Sequence, residues 1–442
     1  MREVEVEIKS LSSSGEGVGI GCNADDAESS VVVVPFTVPG DRVCAKVYKT
    51  FGKGLYQAAD FVRVLRAGPD RDDSAIQCKY FARCGGCQFQ MMPYSSQLNF
   101  KRTIVERAYS HLSGLSSDQM PVVAPVVGSP LQYQYRTKLT PHFDVPRHRA
   151  ADKSNAIVPA AEVPIGFTQK GRSIMIDIEE CPIATPAINA TYLKTRERVR
   201  EQYHEFKRGA TLMLREGVRE LQAEGNNSPA TVPVVIEDSN AQITEYVGKW
   251  RFQYTARDFF QCNSSVLPRV TAYVGALIHG PPEAPLTTEP SKVRYLVDAY
   301  CGSGLFGISC SDKIESVIGV EISDQSVQCA ALNATENGVK NAEFVVGDAT
   351  KIFSRIETPA DQTAMILDPS RKGCGQPFLD QLMAFRPRRV VYVSCNVHTQ
   401  ARDIGYVLNH ENGRGYKFES VRGFDFFPQT HHVESVAVLS LD

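Results

Sequence analysis

Cys395 closes the run Val393-Ser394-Cys395-Asn396, and the segment HTQARDIGYV just beyond it reads as a helix. A thiol attacks carbon as its thiolate, and only a few per cent of a free thiol is ionised at pH 7. A helix N-terminus next to Cys395 is therefore expected to lower its pKa. Glu434 ends Phe427-Pro428-Gln429-Thr430-His431-His432-Val433-Glu434, where the last apolar strand begins. A carboxylate entering an apolar strand is either paired or catalytic. Adjacent histidines on a strand point to opposite faces, so His431 and His432 are not read as a metal pair. A separate group of thiols is compact: Cys78-x5-Cys84-x2-Cys87, with Cys181 far downstream in Glu179-Glu180-Cys181-Pro182. Four thiolates can hold zinc or an iron–sulfur cluster. Structural zinc sites usually show two close pairs, so this three-plus-one spacing with a Cys-Pro suits a cluster better, and zinc stays the alternative.

A further constellation lies between these groups. Asp298-Ala299-Tyr300-Cys301-Gly302-Ser303-Gly304 follows the strand-like RYLV and precedes the helical LFGISCSDK. Glycines there let the backbone turn tightly and approach a ligand at a helix N-terminus. Glu321 ends the next strand, where an acid can bond both ribose hydroxyls. Asp348 ends the third strand, within reach of an adenine amino group. Asp368 ends the fourth, in Asp368-Pro369-Ser370-Arg371-Lys372-Gly373. Ligands of open α/β sheets bind at the carboxyl ends of the strands, so these acids together mark a site. The full G-x-G-x-x-G of dinucleotide sites is missing, and the Asp-x-x-x-Gly-x-Gly form is usual for S-adenosylmethionine.

The elements that must position these residues follow from pattern. Residues 290–442 alternate strand-like runs (RYLVDAY, SVIGVEI, AEFVVGD, TAMILDP, RRVVYVSC) with helical stretches, as a doubly wound α/β sheet does, and end in YKFESVRGFDFF and VESVAVLSL. Residues 1–67 read as short strands between Gly/Pro turns, a small barrel of the oligonucleotide-binding type. Between them, 95–112 and 194–209 read as helices, the second a solvated surface helix, and 130–185 as strands and turns. The expected domains are 1–67, 68–255 and 256–442. Tyr133-Gln134-Tyr135-Arg136-Thr137-Lys138 interleaves aromatic and basic residues, which suits base stacking with phosphate contact; Arg136 and Lys138 are the candidate RNA contacts, and a solvated strand face is the bland alternative.

Composition bounds the answer. The 442 residues are 43% hydrophobic and 22% charged, which excludes a wholly disordered or fibrous chain. No apolar run approaches the ~18 residues of a membrane span. The N-terminus, MREVEVEIKSL, reads as a charged strand with neither secretory nor transit character, so a cytoplasmic protein is expected, with a nuclear or mitochondrial pool open. Twelve cysteines without a secretion signal favour metal binding and catalysis over disulfides. Net charge is −2, while residues 1–150 carry 18 basic and 15 acidic residues, a local excess that permits RNA binding.

Taken together, the motifs resemble the RNA uracil-5-methyltransferase family, enzymes that make 5-methyluridine. The matches are Asp298–Gly304, Asp368–Gly373, Ser394-Cys395-Asn396, Phe427–Thr430 leading to His432-Val433-Glu434, and Asp258-Phe259-Phe260-Gln261-Cys262-Asn263. The resemblance covers nearly the whole chain. It implies a Rossmann-like α/β methyltransferase domain dependent on S-adenosyl-L-methionine, an N-terminal OB-like barrel of the TRAM type, and a central α+β domain with a [4Fe–4S] cluster on Cys78, Cys84, Cys87 and Cys181. It implies Cys395 as nucleophile on uracil C6, Glu434 as the base for the C5 proton, and Asp368 beside the target base. Gln261, Tyr300, Glu321 and Asp368 carry over as cofactor contacts, joined by Asp348 from its place in the sheet. Leu305 stands where some members have Asn, and Ser370 replaces a proline, as in the eukaryotic branch, which tilts the RNA partner to transfer RNA and its T-loop uridine. Ribosomal RNA is the alternative substrate, and an RNA-binding or folding factor with secondary methylation the alternative class. Neither a membrane nor an obligatory protein partner is expected.

Overall fold

The computed structural model describes residues 2–22, 30–144, 163–221, 230–280, 292–348, 352–353 and 356–441. Residue contacts divide the chain into two compact units. One contains Met1–Gln97, Gln132–Arg215 and Phe427–His431; the other contains Leu98–Leu131, Glu216–Phe426 and His432–Asp442.

In the first unit, five strands close a barrel in the order Arg2–Leu11, Gly17–Cys22, Ser30–Val34, Tyr56–Arg66, Arg42–Phe51. Alternation builds it: Val4, Val6 and Ile8 point inward with Val32, Val34, Val43, Ala45 and Ala59, while the intervening Glu3, Glu5 and Lys9 stay outside. A small sheet runs Met175–Asp177, Gly166–Thr168, His142–Asp144, Gly209–Thr211. The helix expected at 194–209 is found at Pro186–Gln202, because Thr185 caps it by accepting from the Ile188 N–H and Pro186 occupies the first turn. It is not simply solvated. Ile188, Tyr192 and Val199 are buried, and Arg196 turns inward to donate to the carbonyls of Ile165 and Ile178 and to Asp177.

The second unit is built on an eight-stranded sheet, ordered Ala342–Val346, Ser316–Glu321, Tyr295–Ala299, Thr363–Leu367, Arg389–Ser394, Glu434–Ser440, Lys417–Phe424, Ala124–Val127. The first five strands are parallel, and Glu434–Ser440 inserts antiparallel beside Arg389–Ser394. Thr363–Leu367 and Arg389–Ser394 are buried along their whole length, as central strands covered on both faces must be. The eighth strand, Ala124–Val127, comes from far upstream and pairs parallel to Lys417–Phe424. The helix Tyr94–Leu112 contributes Ile104, Val105, Ala108 and Tyr109 to the same core as Val390, Val421 and Leu439. No described helix is long and apolar enough to cross a membrane.

Candidate active site and cysteine cluster

The sheet brings the nucleophile and base candidates to one edge. Cys395 follows the strand Arg389–Ser394, and Glu434 opens the neighbouring strand. Their antiparallel register pairs Ser394 with Ser435, so one step further sets Cys395 opposite Glu434. Asp368 follows the adjacent strand Thr363–Leu367 and donates its N–H to the Ala299 carbonyl at 3.4 Å. Three separated motifs thus meet because three neighbouring strands end together.

Burial dominates the electrostatics. Glu434 is 4% exposed; burial pushes its carboxyl up to about 8, Asp368 adds to the rise, and Arg371 opposes it. Asp368 keeps some open surface, yet protein crowds its carboxyl and burial pushes it up to about 7. The expected depression of the Cys395 thiol is not found. Burial, then Glu434 and Asp368, push it up to about 11, and these outweigh the hydrogen bond and charge of Arg371. Desolvation and two carboxyl neighbours disfavour a thiolate more than one helix end favours it. The helix is present: Asn396 caps Val397–Asn409 by accepting from the His398 N–H, and its amide donates to the Arg371 carbonyl at 3.0 Å. Arg371 is therefore a side chain beside Cys395 and Glu434 that the sequence reading did not single out, although it lay inside the quoted motif, three residues after Asp368. Behind the pair, buried Gln400 donates to the carbonyls of Tyr392 (2.7 Å) and Ser435 (3.2 Å) and accepts from the hydroxyls of Tyr109 and Ser435. One amide thus bridges both strands.

The glycine turn has the form of a ligand cradle. Tyr300, Gly302 and Gly304 all have positive φ, at 65°, 54° and 89°, and a side chain on Gly302 would meet nothing within 4 Å. Glu321 ends its strand and accepts from the Gly302 N–H (3.2 Å) and the Ser323 N–H (3.0 Å). Asp298 is fully buried, and burial, with Asp368 and Glu321 adding, pushes its carboxyl up to about 8. Its Oδ2 accepts from the Gly307 N–H at 2.7 Å and ties the turn to the helix Leu305–Ser309, while Oδ1 has no partner among the described residues. Leu305 is buried at that helix start. The Tyr300 hydroxyl is engaged with Cys374, and burial raises its pKa well above the usual range. Tyr300 would therefore meet a cofactor through its backbone or ring. Asp348 lies two residues beyond its strand and is exposed; Gln261 is buried. Phe259, two residues earlier, is 78% exposed.

In the other unit, Cys78, Cys84, Cys87 and Cys181 are all unpaired thiols. Burial raises each pKa, Cys181 to about 11, and Cys87 is raised further by Cys181, Cys84 and Cys78. N–H donors face three of the sulfurs: Tyr80 and Phe81 at Cys78, Gly86 at Cys84 (3.4 Å), and Ile183 and Ala184 at Cys181. Tyr133 lies close enough for Cys87 and Cys78 to add to the effect of burial on its hydroxyl, pushed up to about 12. Among the described residues, no group of three or more His, Cys, Asp or Glu could hold a metal ion. His431 and His432 precede their strand rather than lie in it. Arg136 pairs with Ala184 beside this region and donates its Nε to the Lys138 carbonyl at 2.9 Å. Lys138 opens a two-residue strand.

Residues 284–441 match the family model described as tRNA (Uracil-5-)-methyltransferase. The chain is 50% identical over 409 residues to the tRNA (uracil(54)-C(5))-methyltransferase of Schizosaccharomyces pombe, covering 92% of this chain and 73% of that protein. It is 40% identical over 454 residues to the enzyme of the same name from Saccharomyces cerevisiae, covering 93% and 69%. In fold it is similar to the Pyrococcus abyssi tRNA (uracil-54, C5)-methyltransferase solved with S-adenosyl-L-homocysteine, at TM-score 0.64 and 22% identity over 98% of this chain and 99% of that one.

Proposed function

The chain belongs to the tRNA (uracil-5-)-methyltransferase family, and from that membership we propose that it methylates C5 of uridine 54 in transfer RNA, using S-adenosyl-L-methionine. The observation that carries the reading is the meeting of Cys395, Glu434 and Asp368 at adjoining strand ends, beside the Asp298–Gly304 turn.

Carbon 5 of uracil is too poor a nucleophile to take a methyl group unaided. Cys395 Sγ adds to C6, breaking the C5–C6 double bond and making C5 enolate-like. Arg371 favours the thiolate this step needs; the thiol proton passes to ionised Asp368, whose carboxyl can then donate to a uracil oxygen as negative charge grows there. S-adenosyl-L-methionine, when bound, supplies the methyl group that C5 takes. Ionised Glu434 then removes the C5 proton, the C5–C6 double bond re-forms, and Cys395 leaves as thiolate. The target base must be out of its stack for Sγ to reach it. Gln261, Tyr300, Glu321, Asp348 and Asp368 are the residues proposed to hold the cofactor. The open space over Gly302 and the partnerless Asp298 Oδ1 support a ligand at this turn.

The barrel at 1–67 is proposed as a TRAM module, followed by a central domain at 68–255 and a catalytic domain at 256–442, with Arg136 and Lys138 as RNA contacts. Cys78, Cys84, Cys87 and Cys181 are proposed as ligands of a [4Fe–4S] cluster. Four coupled thiols, three of them faced by N–H donors, suit sulfur ligands whose charge is tuned by hydrogen bonds. A single zinc ion would draw its sulfurs to within about 4 Å of one another, given a Zn–S bond of about 2.3 Å. A cluster is wider than one ion and needs no such convergence.

The test is nucleoside mass spectrometry on unmodified transfer RNA and ribosomal RNA, incubated separately with protein and S-adenosyl-L-methionine, beside Cys395→Ala. The proposal expects 5-methyluridine in transfer RNA only, and none with Cys395→Ala. A methyl group in ribosomal RNA alone would move the substrate, and methylation surviving Cys395→Ala would remove the nucleophile.

A further inference from the structure

Asp403 lies on the helix Val397–Asn409, only 2% exposed, and the reaction at C5 and C6 makes no use of it. A charge is kept in such a place when its neighbours satisfy its oxygens. Here every neighbour is a donor. Asp403 Oδ2 accepts from the Cys374 N–H and the Tyr392 hydroxyl, each at 2.7 Å. Oδ1 accepts from Arg402 Nε at 2.9 Å and Nη2 at 2.7 Å. Through Cys374 the carboxylate grips the backbone of the loop that follows Asp368.

The start of the same helix holds the rest of that loop. Arg402 Nη2 donates to the Lys372 carbonyl at 2.9 Å. The Arg371 carbonyl accepts from Asn396 Nδ2 at 3.0 Å and from Thr399 Oγ1 at 3.3 Å. Within the loop, the Gly373 N–H donates to the Ser370 carbonyl at 2.9 Å. Gly373 sits at φ 77°, and a side chain there would run into Asp403 Oδ2 and Arg402, so only glycine lets the loop close on the carboxylate. All these residues belong to the unit built on the eight-stranded sheet. What the loop carries is Arg371, whose side chain stands beside Cys395 and Glu434. A guanidinium sits at the end of a long, rotamer-rich chain, so its aim depends on how firmly the backbone at its root is held.

We propose that Asp403 is a positioning residue for the nucleophile: it holds the loop Ser370–Cys374 so that the Arg371 guanidinium stays beside the Cys395 thiol. This deepens the proposed function and rests on Cys395 being its nucleophile. Without the grip, Arg371 leaves the thiol and less of it is thiolate.

The experiment is alkylation of the free protein by iodoacetamide at pH 9, with the rate at Cys395 followed by peptide mass spectrometry. Cys329, half-buried in the same unit, is the internal reference. Arg371→Gln removes the guanidinium, and Asp403→Leu removes the acceptor oxygens at similar size. Tyr416→Phe loses a buried hydrogen bond to the Pro387 carbonyl elsewhere in the unit. Expected is alkylation of Cys395 slowed on the order of tenfold in Arg371→Gln and in Asp403→Leu, as when a thiolate loses a neighbouring cation. Cys329 should be unchanged, and Tyr416→Phe should match wild type. The double variant should be no slower than Arg371→Gln alone, since a residue acting through Arg371 then has nothing left to act on. A merely structural role predicts the opposite sign: loosening exposes thiols, and Cys395 and Cys329 both react faster. That result, an unchanged Cys395 in either single variant, or further slowing in the double variant overturns the proposal. If Asp403→Leu does not fold, Thr399→Val, which takes one donor from the Arg371 carbonyl at the same shape, is read by the same signs. Alkylation needs neither RNA nor cofactor. A wild type that is alkylated as expected yet makes no 5-methyluridine therefore sinks the proposed function and leaves the positioning role standing.

Discussion

Replacing Glu434 by Gln should make the protein more stable as pH rises while stopping it at the covalent adduct. The folded protein holds the Glu434 carboxyl at about 8, against an ordinary value of 4.5. At about 1.4 kcal/mol per tenfold change in proton affinity, full ionisation in place costs about 5 kcal/mol as a ceiling. The sign follows from linkage. A carboxyl whose pKa is raised by folding binds its proton more tightly in the folded state. Its contribution is complete below about pH 4.5 and is lost as pH rises towards about 8. Between pH 6 and pH 9 the wild type should lose about 2–3 kcal/mol from this group alone, and the Gln variant has no proton to lose. The assay is denaturant unfolding at pH 6, 7.5 and 9. It is followed by the fluorescence of Trp250, the chain's one tryptophan, which lies in the same unit as Glu434. The Gln variant should gain on wild type by that amount across the range. A gap that stays constant with pH would show that Glu434 is not held protonated at rest, and the pKa argument would fail.

The steady-state rate of release of methylated RNA at saturating cofactor should climb from pH 6 to 9, because Asp368 and Glu434 shed protons near 7 and 8; a flat profile would exclude an ionised Glu434 in the slow step. Asp298→Ala leaves the Gly307 N–H without its acceptor, at about 1–3 kcal/mol for a buried donor, and calorimetry should show S-adenosyl-L-homocysteine binding weakened by roughly tenfold. Anaerobically purified protein should contain iron and be brown, and Cys181→Ser should lose both; stoichiometric zinc without iron would refute the cluster.

Much of the site was legible in sequence because each motif is local. The Asp298–Gly304 turn, Glu321, Asp368, Cys395 and Glu434 each stand at the end of a strand that periodicity marks, and strand ends in an open parallel sheet are where ligands gather. The barrel was legible for the same reason, from alternation between turns. What sequence did not determine is whatever depends on pairing across the chain. That Ala124–Val127 supplies the eighth strand, that Glu434–Ser440 inserts antiparallel beside Arg389–Ser394, and that Phe427–His431 is held by Gln88 and Gln97 are all matters of long-range register, which local pattern does not encode. The helix placed at 194–209 begins at Pro186 because a Thr-Pro cap outranked a run of charges. The Cys395 thiol moved up rather than down because desolvation depends on what surrounds a group in space. Residue types and spacing determined which chemistry was available; tertiary burial decided the protonation states from which it starts.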